Sequence, residues 1–371
     1  MIMSKIPKRI TARIKRALRN FGYFGFDGEF KHLSRNENSG KRLLIIAPGA
    51  MEIPTQGWGA VETIIAETLD IYIQEDYRVS LLNSMNVKHW LEARKFEFDV
   101  ILCHSDVHAK KVLRSWQSVP VVAVTHYGLA AYPDLWHRSY RKTFESIARC
   151  DVIICLNPQI EKTFRRLGVE ARLITSPNGS AFSPKVASLR RPYQFVILGK
   201  VEDRKQQFEI YQMSKNTDAK FIFVGEIVDD RVKELISSDA SISSVFVGEW
   251  NRNQLRQGLS ELGCLVLMSK GEADALVLYE AQLAGLPIIV TPSALGSQNP
   301  DLPWIKVLGE VFEIEEILRS SKSINSSPSE IADFADMNYR WKERNTPLMG
   351  ILKEFSFSER QKKFSDFKDG L

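Results

Sequence analysis

From Lys41 onward, short β-branched apolar runs alternate with longer stretches in which apolar positions recur every three to four residues, the pattern of strands separated by helices in a parallel sheet. The first series predicts strands near Leu43–Ala47, Arg78–Leu82, Val100–Cys103, Val121–Thr125, Val152–Leu156 and Arg172–Thr175. A second series predicts strands near Phe195–Leu198, Phe221–Val224, Val245–Val247, Cys264–Met268, Ile288–Thr291 and Ile305–Leu308. Ser183–Pro192 separates them, with a proline near each end and no strong periodicity, so the linker is placed there. The expected organisation is an extension over 1–40, domains over 41–182 and 193–326, and a charged helical segment over 327–371 that packs across the domains or projects into solvent. Two doubly wound α/β domains would then face each other across a cleft, with ligands at the carboxyl ends of the strands.

The extension has its own pattern. Ile6, Ile10, Ile14 and Leu18 recur every four residues among Lys5, Lys8, Arg9, Arg13, Lys15, Arg16 and Arg19, which describes a basic amphipathic helix. Residues 1–40 carry nine Lys or Arg against three acids, a charge of +6 within a total of +5, so the rest of the chain is near neutral. Such a helix suits an anionic membrane surface. Packing on the protein's own body or fraying is the competing reading. No aromatic stacking pattern accompanies the charge, which argues against nucleic acid.

Composition narrows the class further. With 371 residues, 44% hydrophobic and 26% charged, the chain is long enough for two ordinary cores. No apolar run is long enough to cross a bilayer. Cys103, Cys150, Cys155 and Cys264 lack CxxC spacing or a neighbouring histidine cluster, so they read as reduced core thiols rather than disulfides or zinc ligands. With no secretory leader pattern, a cytoplasmic location is expected, peripheral at the inner membrane face if the extension binds lipid.

Three segments can carry chemistry. Pro54-Thr55-Gln56-Gly57-Trp58-Gly59 leads into a helical pattern, and its small residues let backbone amides approach an anion, although Gly-Trp-Gly alone is a tight turn in most proteins. Gly199-Lys200-Val201-Glu202-Asp203-Arg204-Lys205 puts three cations on one loop, which suits a diphosphate, although exposed cations after a strand usually form a solvated turn. Ser269 to Thr291 reads as strand, loop, helix, turn and strand, with Glu272 on the loop and Glu280 on the helix. Two carboxylates so placed can accept hydrogen bonds from the hydroxyls of an elongated ligand. Spacing alone leaves Glu280 equally an acidic helix residue.

Taken in order over residues 41–310, these segments resemble the GT-B glycosyltransferases, in particular the retaining glycosyltransferase family four. Glu272 and Glu280 match that family's Glu pair separated by seven residues. Gly199-Lys200 through Lys205 resembles its diphosphate clamp, with Lys200 replacing the usual Arg; Gly57-Trp58-Gly59 resembles its glycine loop, Pro177-Asn178-Gly179 its interdomain turn, and Val124-Thr125-His126 its strand-end histidine. Ala273-Asp274-Ala275 departs from the family's Pro-Phe-Gly, and Ser180-Ala181 from its Val-Asp.

The resemblance implies retaining transfer of a sugar from a nucleotide-diphosphate sugar to a glycan or lipid-linked acceptor in surface polysaccharide or glycoconjugate synthesis, without metal or organic cofactor. It implies Lys200 and Lys205 on the diphosphate, Glu272 on the transferred sugar, His126 near that sugar, and Gly59, Gly199, Leu276, Val277 and Glu280 on the donor, with Glu280 at the ribose. His104 is a weaker candidate that reads more readily as structural. A nucleotide-sugar epimerase and a catalytically degenerate binding protein remain open alternatives.

Overall fold

The computed structural model describes residues 26–33, 40–55, 59–238, 242 and 245–355. The basic helix expected over Lys5 to Arg19, together with Gly57 and Trp58, lies outside the described residues.

The first sheet contains β1 (Glu29–His32), β2 (Lys41–Ile46), β3 (Tyr77–Asn83), β4 (Val100–Cys103), β5 (Val121–Thr125), β6 (Val152–Cys155) and β7 (Arg172–Thr175), in the order β1-β3-β2-β4-β5-β6-β7. The second contains β8 (Gln194–Leu198), β9 (Lys220–Val224), β10 (Phe246–Gly248), β11 (Cys264–Leu267), β12 (Ile288–Val290) and β13 (Ile305–Val307), in the order β10-β9-β8-β11-β12-β13. Every pairing is parallel except β1 with β3. Helices cover both faces, so Leu43–Ile46, Val100–Leu102 and Cys264–Leu267 are completely buried. These strands therefore read as unbroken apolar runs rather than alternating ones.

The connecting helices are α1 (Ala60–Gln74), α2 (Val87–Ala93), α3 (Ala109–Ser115), α4 (Arg138–Ile147) and α5 (Pro158–Arg166) in the first domain. In the second they are α6 (Gln207–Ser214), α7 (Asp230–Ser238), α8 (Arg252–Gly258), α9 (Leu276–Leu283) and α10 (Ile314–Ser323). Strand order reverses between β2 and β4 in one sheet and between β8 and β11 in the other. These are the switch points at which doubly wound sheets open a crevice for ligand.

Three boundaries differ from the expectation. Residues 29–32 are not part of a detached extension: Glu29–His32 form the antiparallel edge of the first sheet, in register with Asn83–Ser80. The proline-based linker starts too late, because Phe182 and Ala187 already lie in the second domain's core and Ala187 N donates to Ala284 O at 2.9 Å. The chain changes domain at 176–181, where Ser180 N donates to Tyr339 O at 2.8 Å and Arg340 Nη1 to Phe182 O at 2.7 Å. The segment after 327 is divided. α11 (Pro328–Asn338) packs on α9, whereas α12 (Trp341–Arg344) touches α1 and α13 (Thr346–Glu354) touches β7. Leu348, Met349, Ile351 and Leu352 thereby join the first domain's core.

Candidate functional site

Directly after β8 comes Gly199, whose φ of 126° suits a residue without a side chain, and the chain folds through a short turn over Asp203–Lys205. Gln206 adopts φ 55° and its Nε2 donates to Met268 O at 2.6 Å, while Lys270 N donates to Arg204 O at 2.9 Å. The loop after β8 is thus stitched to the loop after β11. Between them stands Glu272, whose Oε1 lies 3.0 Å from Arg204 Nη1 and 3.3 Å from Lys205 Nζ and accepts from Ser269 Oγ at 2.8 Å. Burial pushes the Glu272 carboxyl up, but Lys205, Arg204 and Ser269 together outweigh it and hold it below its ordinary value.

Two helix starts face the same space. α1 begins after Gly59, whose φ is 140°, and α9 begins after Ala275; neither N-cap residue supplies a side-chain cap. Leu276 and Val277 are the first two residues of α9. Four residues into α9, Glu280 pairs with Arg252 Nη1, and Arg252 Nη2 reaches Glu67 Oε1 of α1 at 3.1 Å. Burial raises the Glu280 carboxyl, Arg252 opposes that, and Glu67 adds to it. Glu67 also accepts from Trp341 Nε1 and from Ala181 N, both at 2.7 Å. One carboxylate on α1 therefore gathers the interdomain turn, the returning C-terminal segment and, through Arg252, α9.

From the first domain, His126 closes the wall at the end of β5. Its Nε2 lies 3.1 Å from His104 Nδ1, with the rings stacked at 5.3 Å. Burial lowers His126 to about 4 and takes His104 well below its ordinary value, so both are neutral at pH 7. Only one of the two facing nitrogens carries the proton. His104 Nε2 is buried without a partner among the described residues, which favours the tautomer in which His104 Nδ1–H donates and that orphan is a lone pair.

Together these groups line one cleft of about 440 Å³ between the domains. Gly59, His126, Gly199, Lys200, Lys205, Glu272, Leu276, Val277 and Glu280, all singled out from the sequence, are on its wall. His104 stands behind His126. Arg204, Trp250 and Arg252 also line the cleft, and the sequence motifs do not point to them as site residues. Arg204 was visible as a third cation on its loop; Arg252 carried no local signal beyond the Asn251–Gln254 capping box that starts α8.

Residues 38–180 match Glycosyltransferase Family 4. No curated protein matches the chain by sequence. Among solved structures, sucrose-phosphate synthase from Thermosynechococcus elongatus is 13% identical and superposes with a TM-score of 0.68, over 85% of this chain and 98% of that one. Anabaena Alr3699/HepE in complex with UDP and glucose is 13% identical, with a TM-score of 0.61 over 84% and 99%. The lipopolysaccharide outer core galactosyltransferase WaaB is 14% identical, with a TM-score of 0.58 over 83% and 99%. The chain has the GT-B fold.

Within that fold, the departures from the family pattern have visible partners. Asp274 Oδ2 accepts from Asn178 N at 2.8 Å and from Tyr279 Oη at 2.6 Å, and Oδ1 accepts from Ser297 N and Oγ, both at 3.1 Å. Asp274 thus ties the GT-B interdomain turn to the loop that carries Glu272. Burial pushes its carboxyl up to about 6 against those donors. Lys200 stands apart from the Glu272 cluster, its Nζ 3.0 Å from Glu226. The position next to Glu272 is filled by Arg204 instead. All four cysteines are buried free thiols. Among the described residues no three His, Cys, Asp or Glu side chains converge as metal ligands, and no helix is long and apolar enough to cross a membrane.

Proposed function

We propose that this protein is a glycosyltransferase that moves a hexose from a nucleotide-diphosphate sugar to a glycan or lipid-linked acceptor with retention of configuration. The observation that carries this reading is the Glu272 carboxylate held by Arg204 and Lys205 between two uncapped helix starts, in a cleft at both topological switch points. The donor's diphosphate would lie against Lys205, Arg204 and the first-turn amides of α9. Glu280 would accept from the ribose hydroxyls, and Glu272 from the transferred sugar.

In the transfer step, the bond between the anomeric carbon and the diphosphate oxygen breaks with its electron pair leaving on the diphosphate. The acceptor hydroxyl oxygen bonds the same face of that carbon, and its proton passes to the departing phosphate oxygen. Lys205 and Arg204 stabilise the charge that develops on the leaving group. Neutral His126 is a hydrogen-bonding group toward the sugar, not an acid at pH 7.

UDP-hexoses are the first donors to try, because the Anabaena protein was solved with UDP and glucose. Incubating the chain with UDP-hexoses and glycan acceptors tests the reading. Acceptor-dependent glycoside with the donor's anomeric configuration supports it, while epimerised donor or binding without turnover refutes it.

A peripheral place at an anionic membrane is part of the same proposal and rests on the sequence of residues 5–19. Deleting residues 1–25 should abolish salt-sensitive binding to anionic vesicles. The deletion stops short of Asp27, whose carbonyl accepts from Ser84 Oγ at 3.3 Å.

A further inference from the structure

A second cavity, of about 380 Å³, opens on the first domain between the loop after β3 and helix α3. Its wall carries Lys110, Lys111 and Arg114 with no carboxylate among the lining residues. None of the three forms an ion pair among the described residues, in a structure where most site cations do. Lys111 Nζ rests 3.8 Å from the centroid of the Trp90 ring, and burial there lowers its ammonium to about 8. A lysine held against an aromatic face and partly stripped of water, beside two further cations, makes a strong site for an anion.

The rest of the wall is aliphatic. Met85 and Val87 stand on one side and Val107 on the other, and Leu91 lies one turn along α2 from Val87. Val87, Leu91 and Val107 are 52%, 55% and 60% exposed, an unusual amount of branched aliphatic surface to leave beside a cationic groove. Position ties the groove to the cleft. The strand-end loop after β4 runs from His104, which touches His126, to His108, which lines the groove, a span of at most about 14 Å for four residues.

We propose that this groove seats the phosphoryl group of a lipid-phosphate-linked acceptor, with Lys110, Lys111 and Arg114 on the phosphate and Val87, Leu91 and Val107 against the lipid chain. The inference rests on the glycosyltransferase reading for its purpose, since the loop that lines the groove at His108 begins at His104, which touches His126 of the cleft. The ligand chemistry rests on the groove alone.

Calorimetric titration of the full chain with decyl phosphate below its micelle concentration tests it, with decanol and inorganic phosphate as separate probes. Decyl phosphate should bind at least tenfold more tightly than either control. Lys110→Ala/Arg114→Ala should weaken it at least tenfold, as should Val107→Glu, which adds a like charge at an exposed position. Equal binding by the parent and both variants overturns the proposal. Decanol matching decyl phosphate overturns the phosphate contact, and inorganic phosphate matching it overturns the lipid contact. Uridine diphosphate titrated into the same variants should bind as it does to the parent. Nucleotide binding without decyl phosphate binding defeats the groove alone; the reverse result defeats the donor reading and leaves the groove standing.

Discussion

A Cβ built on Gly199 would sit 2.7 Å from the Nζ of Lys205, closer than a real Cβ contact permits. The glycine therefore does two things at once: it takes φ 126°, and it leaves room for the lysine tip to reach Glu272 across the mouth of the second domain. Gly199→Ala should displace that ammonium without unfolding the domain, weakening uridine diphosphate about tenfold, or ~1.4 kcal/mol. Lys205→Ala removes the charge outright and should slow transfer roughly 100-fold. Unchanged nucleotide affinity in Gly199→Ala would show that the lysine's position there is irrelevant to the ligand.

The two glutamates are predicted to fail differently. Glu280 is on the helix and already shares Arg252, so Glu280→Ala should weaken the free nucleoside diphosphate by about tenfold or more. Glu272→Ala should leave that affinity closer to the parent's and act mainly on transfer of the sugar. Comparing nucleotide affinity with turnover in both variants decides it, and equal losses of affinity would refute the division of labour.

Arg252 offers a structural test at the same place. Its guanidinium joins Glu67 of the first domain to Glu280 of the second and lies 4.6 Å from the Phe182 ring centroid. Removing it leaves two largely buried carboxylates without their shared cation, so Arg252→Ala should cost about 3–5 kcal/mol in urea unfolding. Glu67→Gln retains an acceptor oxygen for Trp341 Nε1–H and should cost less. A neutral Arg252→Ala would mean that the domains are held together elsewhere.

What was legible in the sequence follows from what each feature needs. Buried parallel strands need uninterrupted apolar runs, and those are visible in Leu43–Ile46 or Val152–Cys155 without any knowledge of their partners. The Glu-Phe-Lys-His segment of β1 has no such run: it is a short, half-exposed edge whose identity depends on β3, so it disappears into the basic extension. The cleft's loops were findable because they follow strands directly. Arg252 was not, because its meaning lies in Glu67, 185 positions earlier in the chain. Asp274 stood out as a departure, but only the fold shows that its four donors come from the interdomain turn, Tyr279 and Ser297.

Glu272 and Asp274, two residues apart, should give stability opposite slopes with pH. Glu272 is held below its ordinary value, so its contribution is complete above the unfolded value near 4.3 and is lost as pH falls through the lower folded value. Asp274 is pushed up to about 6, so its contribution is complete below the unfolded value near 3.9 and is lost as pH rises through 6. Glu272→Gln should therefore narrow its stability gap to the parent on acidification from pH 5 to 3. Urea midpoints across that range provide the check, and a gap that widens toward acid would contradict the assigned sign.

The returning C-terminal segment sets the last expectation. Leu348, Met349, Ile351 and Leu352 of α13 are 5%, 8%, 3% and 0% exposed in the first domain's core, and Arg172 pairs with Glu354 beside them. At about 1.5–3 kcal/mol for each buried side chain, the four together approach the whole stability of an ordinary domain. Ending the chain after Asn345 should therefore leave the first domain unable to fold, although every strand of its sheet is intact. Leu352→Ala should cost about 2–5 kcal/mol on its own. If the chain ending at Asn345 unfolds at the parent's urea concentration, α13 is an ornament on the first domain and the two domains do not depend on it.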